Sequence, residues 1–174
     1  SGFGAAFRSI FGTVPSRAKD LGRLLADWIL TPFGPMLAVA GDDGLCLLEF
    51  HDRRALEREL EWLRRRFRAA IVPGTNAVLV QIERELSEYF AGTRTRFETP
   101  LVLAGSEFQL RVWGELRKIP PGRTRSYADI ARAVGQPAAV RAVVELLPGA
   151  TGRRATSAGF TPGPCTLSCL SPKR

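Results

Sequence analysis

The chain has 174 residues, 45% of them hydrophobic, with 25 Lys and Arg against 17 Asp and Glu, a net charge of +8 and an isoelectric point near 10.4. That length and apolar content suit a folded protein of one or two small domains and exclude a disordered chain. The charge favours a polyanionic partner such as nucleic acid, no apolar run approaches the roughly 20 residues needed to span a bilayer, and no secretory signal pattern stands out, so the sequence reads as cytoplasmic.

Near the start, Phe3, Phe7, Ile10 and Phe11 fall on one helical face before a Gly-Thr-Val-Pro stop. A polar linker follows over 17–23. Residues 24–30, 36–40 and 45–50 then read as strands, and the turn Gly41-Asp42-Asp43-Gly44 predicts an antiparallel pair. Cys46 lies among Leu45, Leu47 and Leu48, where a small buried thiol is the ordinary reading and a nucleophile the poor one. His51, the single histidine, has no partner in sequence that argues for a ligand role. Three cysteines make no disulfide framework, and one histidine leaves little for a zinc site, so no metal and no cofactor is expected.

Residues 53–67 predict a helix burying Leu56, Leu60, Leu63 and Phe67. The run Arg64-Arg65-Arg66 then lies on a solvated face, partly balanced by Glu57, Glu59 and Glu61. Pro73-Gly74 ends that unit. A further helix over 76–90 carries Val78, Ile82, Leu86, Tyr89 and Phe90 inward.

Beyond Glu107 the local signals all agree. Phe108, Val112, Leu116 and Ile119 form one helical face that stops at Pro120-Pro121-Gly122. Ser126 can cap a second helix, with Asp129 as its reciprocal partner and Ile130, Ala131 and Val134 inside, until Gly135-Gln136-Pro137 breaks it. A third helix opens at Pro137 or Ala138. It turns Val140, Val143, Val144 and Leu147 inward, leaves Arg141 exposed, and closes at Pro148-Gly149. Two short helices joined by a Gly-containing turn make a helix-turn-helix, whose second helix is normally presented to a DNA groove; a plain helical hairpin is the alternative.

Phe108-Gln109, Val112-Trp113, Ile119-Pro120, Gly122, Thr124, Ser126-Tyr127, Ala131, Gly135, Pro137 and Arg141-Ala142-Val143 resemble the signature of the methylated-DNA–protein-cysteine methyltransferases, the O6-alkylguanine repair proteins. The stretch EYFAGTRTRFETPL resembles the same family's join between domains. The resemblance implies an α/β (α+β) fold. Residues 24–99 become a small antiparallel sheet flanked by helices, and residues 100–148 a winged helix-turn-helix that binds DNA. It further implies a DNA-binding set of Gln109, Ser126, Tyr127, Ala128, Gln136 and Arg141, with Arg141 filling the gap left by an extruded guanine and Tyr127 assisting the flip. The implied partner is double-stranded DNA containing O6-alkylguanine, with no membrane, no protein partner and no cofactor. Residues 1–17 resemble the closing helix of an AraC-type DNA-binding domain, as precedes the repair domain in bifunctional, Ada-like members.

After Val143 the resemblance stops. Residues 149–174 have no apolar strand, no His and no acidic residue, a composition of loop or disorder, so the last domain reads as truncated or altered. In the family the third helix is followed by an Asn-containing turn, an apolar strand and then Pro-Cys-His-Arg. Here Pro164-Cys165 keeps the dipeptide, Thr166 stands where the His would be, Cys165 lies twenty-four residues beyond Arg141, and Ala158 occupies the family's spacing. Cys165 is the candidate nucleophile by default, with Cys169 a competing thiol and no neighbouring His to raise the thiolate fraction. Two readings follow: a repair methyltransferase that accepts an alkyl group irreversibly, or a non-catalytic module that binds alkylated DNA.

Overall fold

Turn chemistry sets the first sheet. Strand β1 (Gly22–Thr31) hairpins into β2 (Gly34–Ala40) in the register Leu25↔Ala40 to Thr31↔Gly34. The Thr31 hydroxyl donates to the Gly34 carbonyl at 2.6 Å, and Gly34 takes φ 121°, a conformation glycine adopts without strain. The computed structural model describes residues 22–52, 56–120, 123–146 and 154–156. The chain divides into two units after Leu101. The helix expected over Phe3, Phe7, Ile10 and Phe11 lies outside the described residues.

Between β2 and β3 (Leu45–Phe50), Gly41 N donates to Gly44 O at 3.0 Å and closes the expected antiparallel hairpin, with a bulge at Val39/Ala40. Gly44 has φ 153°, and a Cβ there would sit 2.7 Å from the Pro100 carbonyl oxygen. Helix α1 (Leu56–Phe67) then carries the chain to β4 (Ala69–Pro73), which pairs parallel to β1. The expected all-antiparallel sheet is therefore mixed, in the order β3-β2-β1-β4. The helical crossover is what makes the last pairing parallel. Helix α2 (Ala77–Phe90) packs on β1 and β2, and Met36 to Ala40 are fully buried. Asn76 caps α2, accepting from Leu79 N at 2.9 Å, and donates to Gly41 O at 3.1 Å, which ties the helix start to the hairpin turn.

Glu85, fully buried on α2, organises the segment after it. Its carboxylate accepts from Gln81, from the backbone N–H of Glu98 and Thr99, and from the Thr99 hydroxyl, all within 3.1 Å. Burial alone would push its pKa up, but these hydrogen bonds outweigh it and hold the group ionised. Glu59 is also buried, so it does not share the solvated face expected of α1; Glu61 pairs with Arg64 and Arg65.

In the second unit, α3 (Glu107–Arg117), β5 (Thr124–Ser126), α4 (Tyr127–Ala133), a 3-10 turn (Pro137–Ala139) and α5 (Val140–Glu145) follow in order. Val112, Ile119, Tyr127, Ile130, Ala131, Val134 and Val143 form their core, with Phe108, Leu116, Val140 and Leu146 packed against it. Within the stretch read as loop, β6 (Arg154–Thr156) pairs antiparallel with β5. Among the described residues no helix is long and apolar enough to cross a membrane.

Candidate nucleic-acid interface

The second unit presents its helices through two capping boxes. At α3, Gln109 N donates to the Ser106 hydroxyl at 3.3 Å, and Ser106 N donates to the Gln109 side-chain oxygen at 2.7 Å. Gln109 is thus engaged in its own helix start. At α4, Asp129 N donates to Ser126 Oγ at 3.0 Å, while the Ser126 backbone and hydroxyl donate to Asp129 Oδ2 at 3.0 and 2.6 Å. These bonds from Ser126, with Arg132 also on the carboxylate, draw the Asp129 pKa down to about 2. Arg125 on β5 clamps the same corner. It donates to Glu115 of α3 at 2.9 Å and to the Asp129 carbonyl at 3.3 Å.

Next to the cap, Tyr127 is 3% exposed, and its buried hydroxyl has no hydrogen-bond partner among the described residues. Burial pushes its pKa up, so the phenol stays protonated at neutral pH. Ala128 beside it is half-buried. Gly135, at φ 75°, turns the chain out of α4, and Gln136 is exposed. Arg141, in the first turn of α5, has a side chain 93% exposed and donates from Nε to Glu145 Oε1 at 3.1 Å. Val144, expected in the core, is 38% exposed. Six helical residues leave room for one inward stripe, and Val140 and Val143 fill it.

The structure therefore places Ser126, Tyr127 and Ala128 together at the start of α4, Gln136 before the 3-10 turn and Arg141 in the first turn of α5. Gln109 stands at the head of α3. Cys165 and Cys169 lie outside the described residues. Cys46 is buried on β3 with its thiol pKa raised chiefly by burial, as befits a core residue, and His51 is exposed just after that strand. Sequence reasoning passes over Glu145, although its spacing of four from Arg141 is there to read.

Charge separates the units sharply. Residues up to Leu101 carry 14 Lys and Arg against 13 Asp and Glu, whereas those beyond carry 11 against 4. A nearly neutral sheet unit followed by a basic helix-turn-helix unit has the charge distribution that suits a polyanionic partner.

Comparison with known proteins is more specific. The family model for the 6-O-methylguanine DNA methyltransferase ribonuclease-like domain matches residues 27–103, and that for the DNA binding domain matches residues 107–151. The chain is 35% identical over 120 residues to a methylated-DNA–protein-cysteine methyltransferase of Methanosarcina barkeri, covering 67% of this chain and 68% of that one. It is 41% identical over 90 residues to the inducible enzyme of Bacillus subtilis, covering 52% of this chain and 50% of that relative. Measured against the Bacillus relatives, it spans half the length of the inducible protein and 39% of the constitutive one. A solved Mycobacterium tuberculosis O6-methylguanine methyltransferase superposes with a TM-score of 0.58 at 33% identity, covering 70% of this chain and 67% of that one. The same organism's protein in complex with DNA superposes with a TM-score of 0.53 at 34% identity, covering 70% and 66%. The chain belongs to the methylated-DNA–protein-cysteine methyltransferase family.

Proposed function

We propose that the chain recognises O6-alkylguanine in duplex DNA through its helix-turn-helix unit and repairs it by alkyl transfer to its own cysteine. The observation that carries this reading is an exposed Arg141 in the first turn of α5 together with a Tyr127 hydroxyl at the start of α4 that is buried without a hydrogen-bond partner among the described residues, both in a basic unit. An O6 substituent cannot be attacked inside the base stack, so the guanine must rotate out. Arg141 fills the gap in the duplex, a role that suits a planar cation. The Tyr127 hydroxyl donates to the extruded base and stabilises the charge that develops on it as it leaves. The acceptor is Cys165. Its thiolate forms a bond to the alkyl carbon as the bond from that carbon to O6 breaks, and the electron pair departs with the guanine, which takes up a proton. The product thioether is not reopened, so each molecule acts once and needs no cofactor.

A second reading, recognition of alkylated DNA without transfer, is favoured by one observation: Thr166 follows Cys165, and the sequence has no His beyond His51. Intact mass after incubation with an oligonucleotide carrying O6-methylguanine, followed by peptide mapping, separates the two. A gain of one methylene at Cys165 is expected. Unchanged mass with retained DNA binding would leave recognition alone.

A further inference from the structure

Glu145 has no account in the stability of the helix that carries it. It lies in the last turn of α5, where the helix dipole disfavours a carboxylate, and it follows Arg141 in the weaker of the two orders for a pair four residues apart. Its side chain is 65% exposed, on a unit whose other charges favour a polyanion. The one contact it makes among the described residues is with Arg141, whose Nε donates to Glu145 Oε1 at 3.1 Å; Arg141 in turn has no other partner among them. The carboxylate thus sits on the one cation that the proposed reading sends into DNA.

We propose that Glu145 is a positioning residue for Arg141: it holds the guanidinium along the surface of α5 in the free protein, so that entry of Arg141 into DNA is a competition between the carboxylate and the nucleic acid. This rests on the reading of Arg141 given above. An exposed pair is weak, and that suits the role, because a strong pair would keep Arg141 from DNA altogether. Glu145 therefore lowers the affinity for any duplex by a modest factor that depends on Arg141 being present.

The test is a double-mutant cycle on the full chain, with binding to an undamaged duplex of fixed length followed by fluorescence anisotropy over a series of salt concentrations. Glu145→Gln is expected to tighten binding about two- to threefold, the worth of one exposed helical ion pair, and to steepen the salt dependence. In an Arg141→Gln background the same change is expected to have a much smaller effect. An equal gain in both backgrounds would show a general charge effect and overturn the proposal. If Arg141→Gln alone leaves affinity and salt slope untouched, the groove reading falls first and the proposal with it. Both positions are exposed, and matched circular dichroism establishes that all four proteins are folded.

Discussion

A buried tyrosine hydroxyl without a hydrogen-bond partner among the described residues is a cost to the fold, and at Tyr127 that cost falls on the first residue of α4. An unpaired buried hydroxyl destabilises by about 1–3 kcal/mol, and a donor held in this way suits the proposed role of Tyr127 toward an extruded base. Tyr127→Phe keeps the ring in the cluster of Val112, Ile119, Ile130 and Val143 and removes only the oxygen. Urea unfolding is expected to show stability unchanged or raised by up to about 1 kcal/mol, and, on the proposed function, the rate of transfer from O6-methylguanine DNA is expected to drop. A variant destabilised by more than that would mean the hydroxyl supports the fold. The family signature marks Tyr127, and helical periodicity buries it as well, since Tyr127, Ile130, Ala131 and Val134 fall at i, i+3, i+4 and i+7 on the inward face of α4. Arg141 is legible as exposed from its place between Val140 and Val143; its partner Glu145 is legible only through the spacing of four, because a pattern of apolar residues is silent about which charges meet.

At the level of elements, the most legible feature is the start of α4. Ser, then Asp three residues on, before an apolar run predicts a capping box, and the structure forms it. Ser126→Ala is expected to cost about 1 kcal/mol in urea unfolding at neutral pH. The same box has an acid limit. Asp129 is drawn down to about 2 from an ordinary value of 3.8, so its contribution is fully present above the ordinary value and is lost as pH falls through about 2. The stability difference between wild type and Asp129→Asn should therefore be constant from pH 7 to 5 and shrink steadily toward pH 2. A difference that stayed constant down to pH 2 would show that the carboxylate is not ionised in the box. Less legible is β4: Ala-Ala-Ile-Val-Pro is too short to show a period, and its partner is β1, far back in the chain. Glu85 is hidden for a similar reason, since its four donors come from Gln81 one turn before and from Glu98 and Thr99 beyond the helix. Long-range pairing of this kind leaves no mark on local composition.

For the whole molecule, net charge taken as one number favours nucleic acid; its distribution says more. The unit ending at Leu101 is close to neutral, so on the proposed function the attraction to phosphate is expected to come almost entirely from the residues that follow. Binding to duplex DNA should then weaken steeply with salt, and the slope should respond to charge removal in one unit and not in the other. Arg123→Gln combined with Arg141→Gln removes two exposed cations from the second unit, and Arg23→Gln combined with Arg58→Gln removes two from the first. The net charge of the protein changes equally in both double variants. Each phosphate that is no longer neutralised by a cation lowers the slope of log affinity against log salt by about 0.9, so the first pair is expected to flatten it by up to about 2, and the second to leave it where it was. Equal flattening in both would mean that the sheet unit touches DNA as well, and that its near-neutral total conceals a basic face.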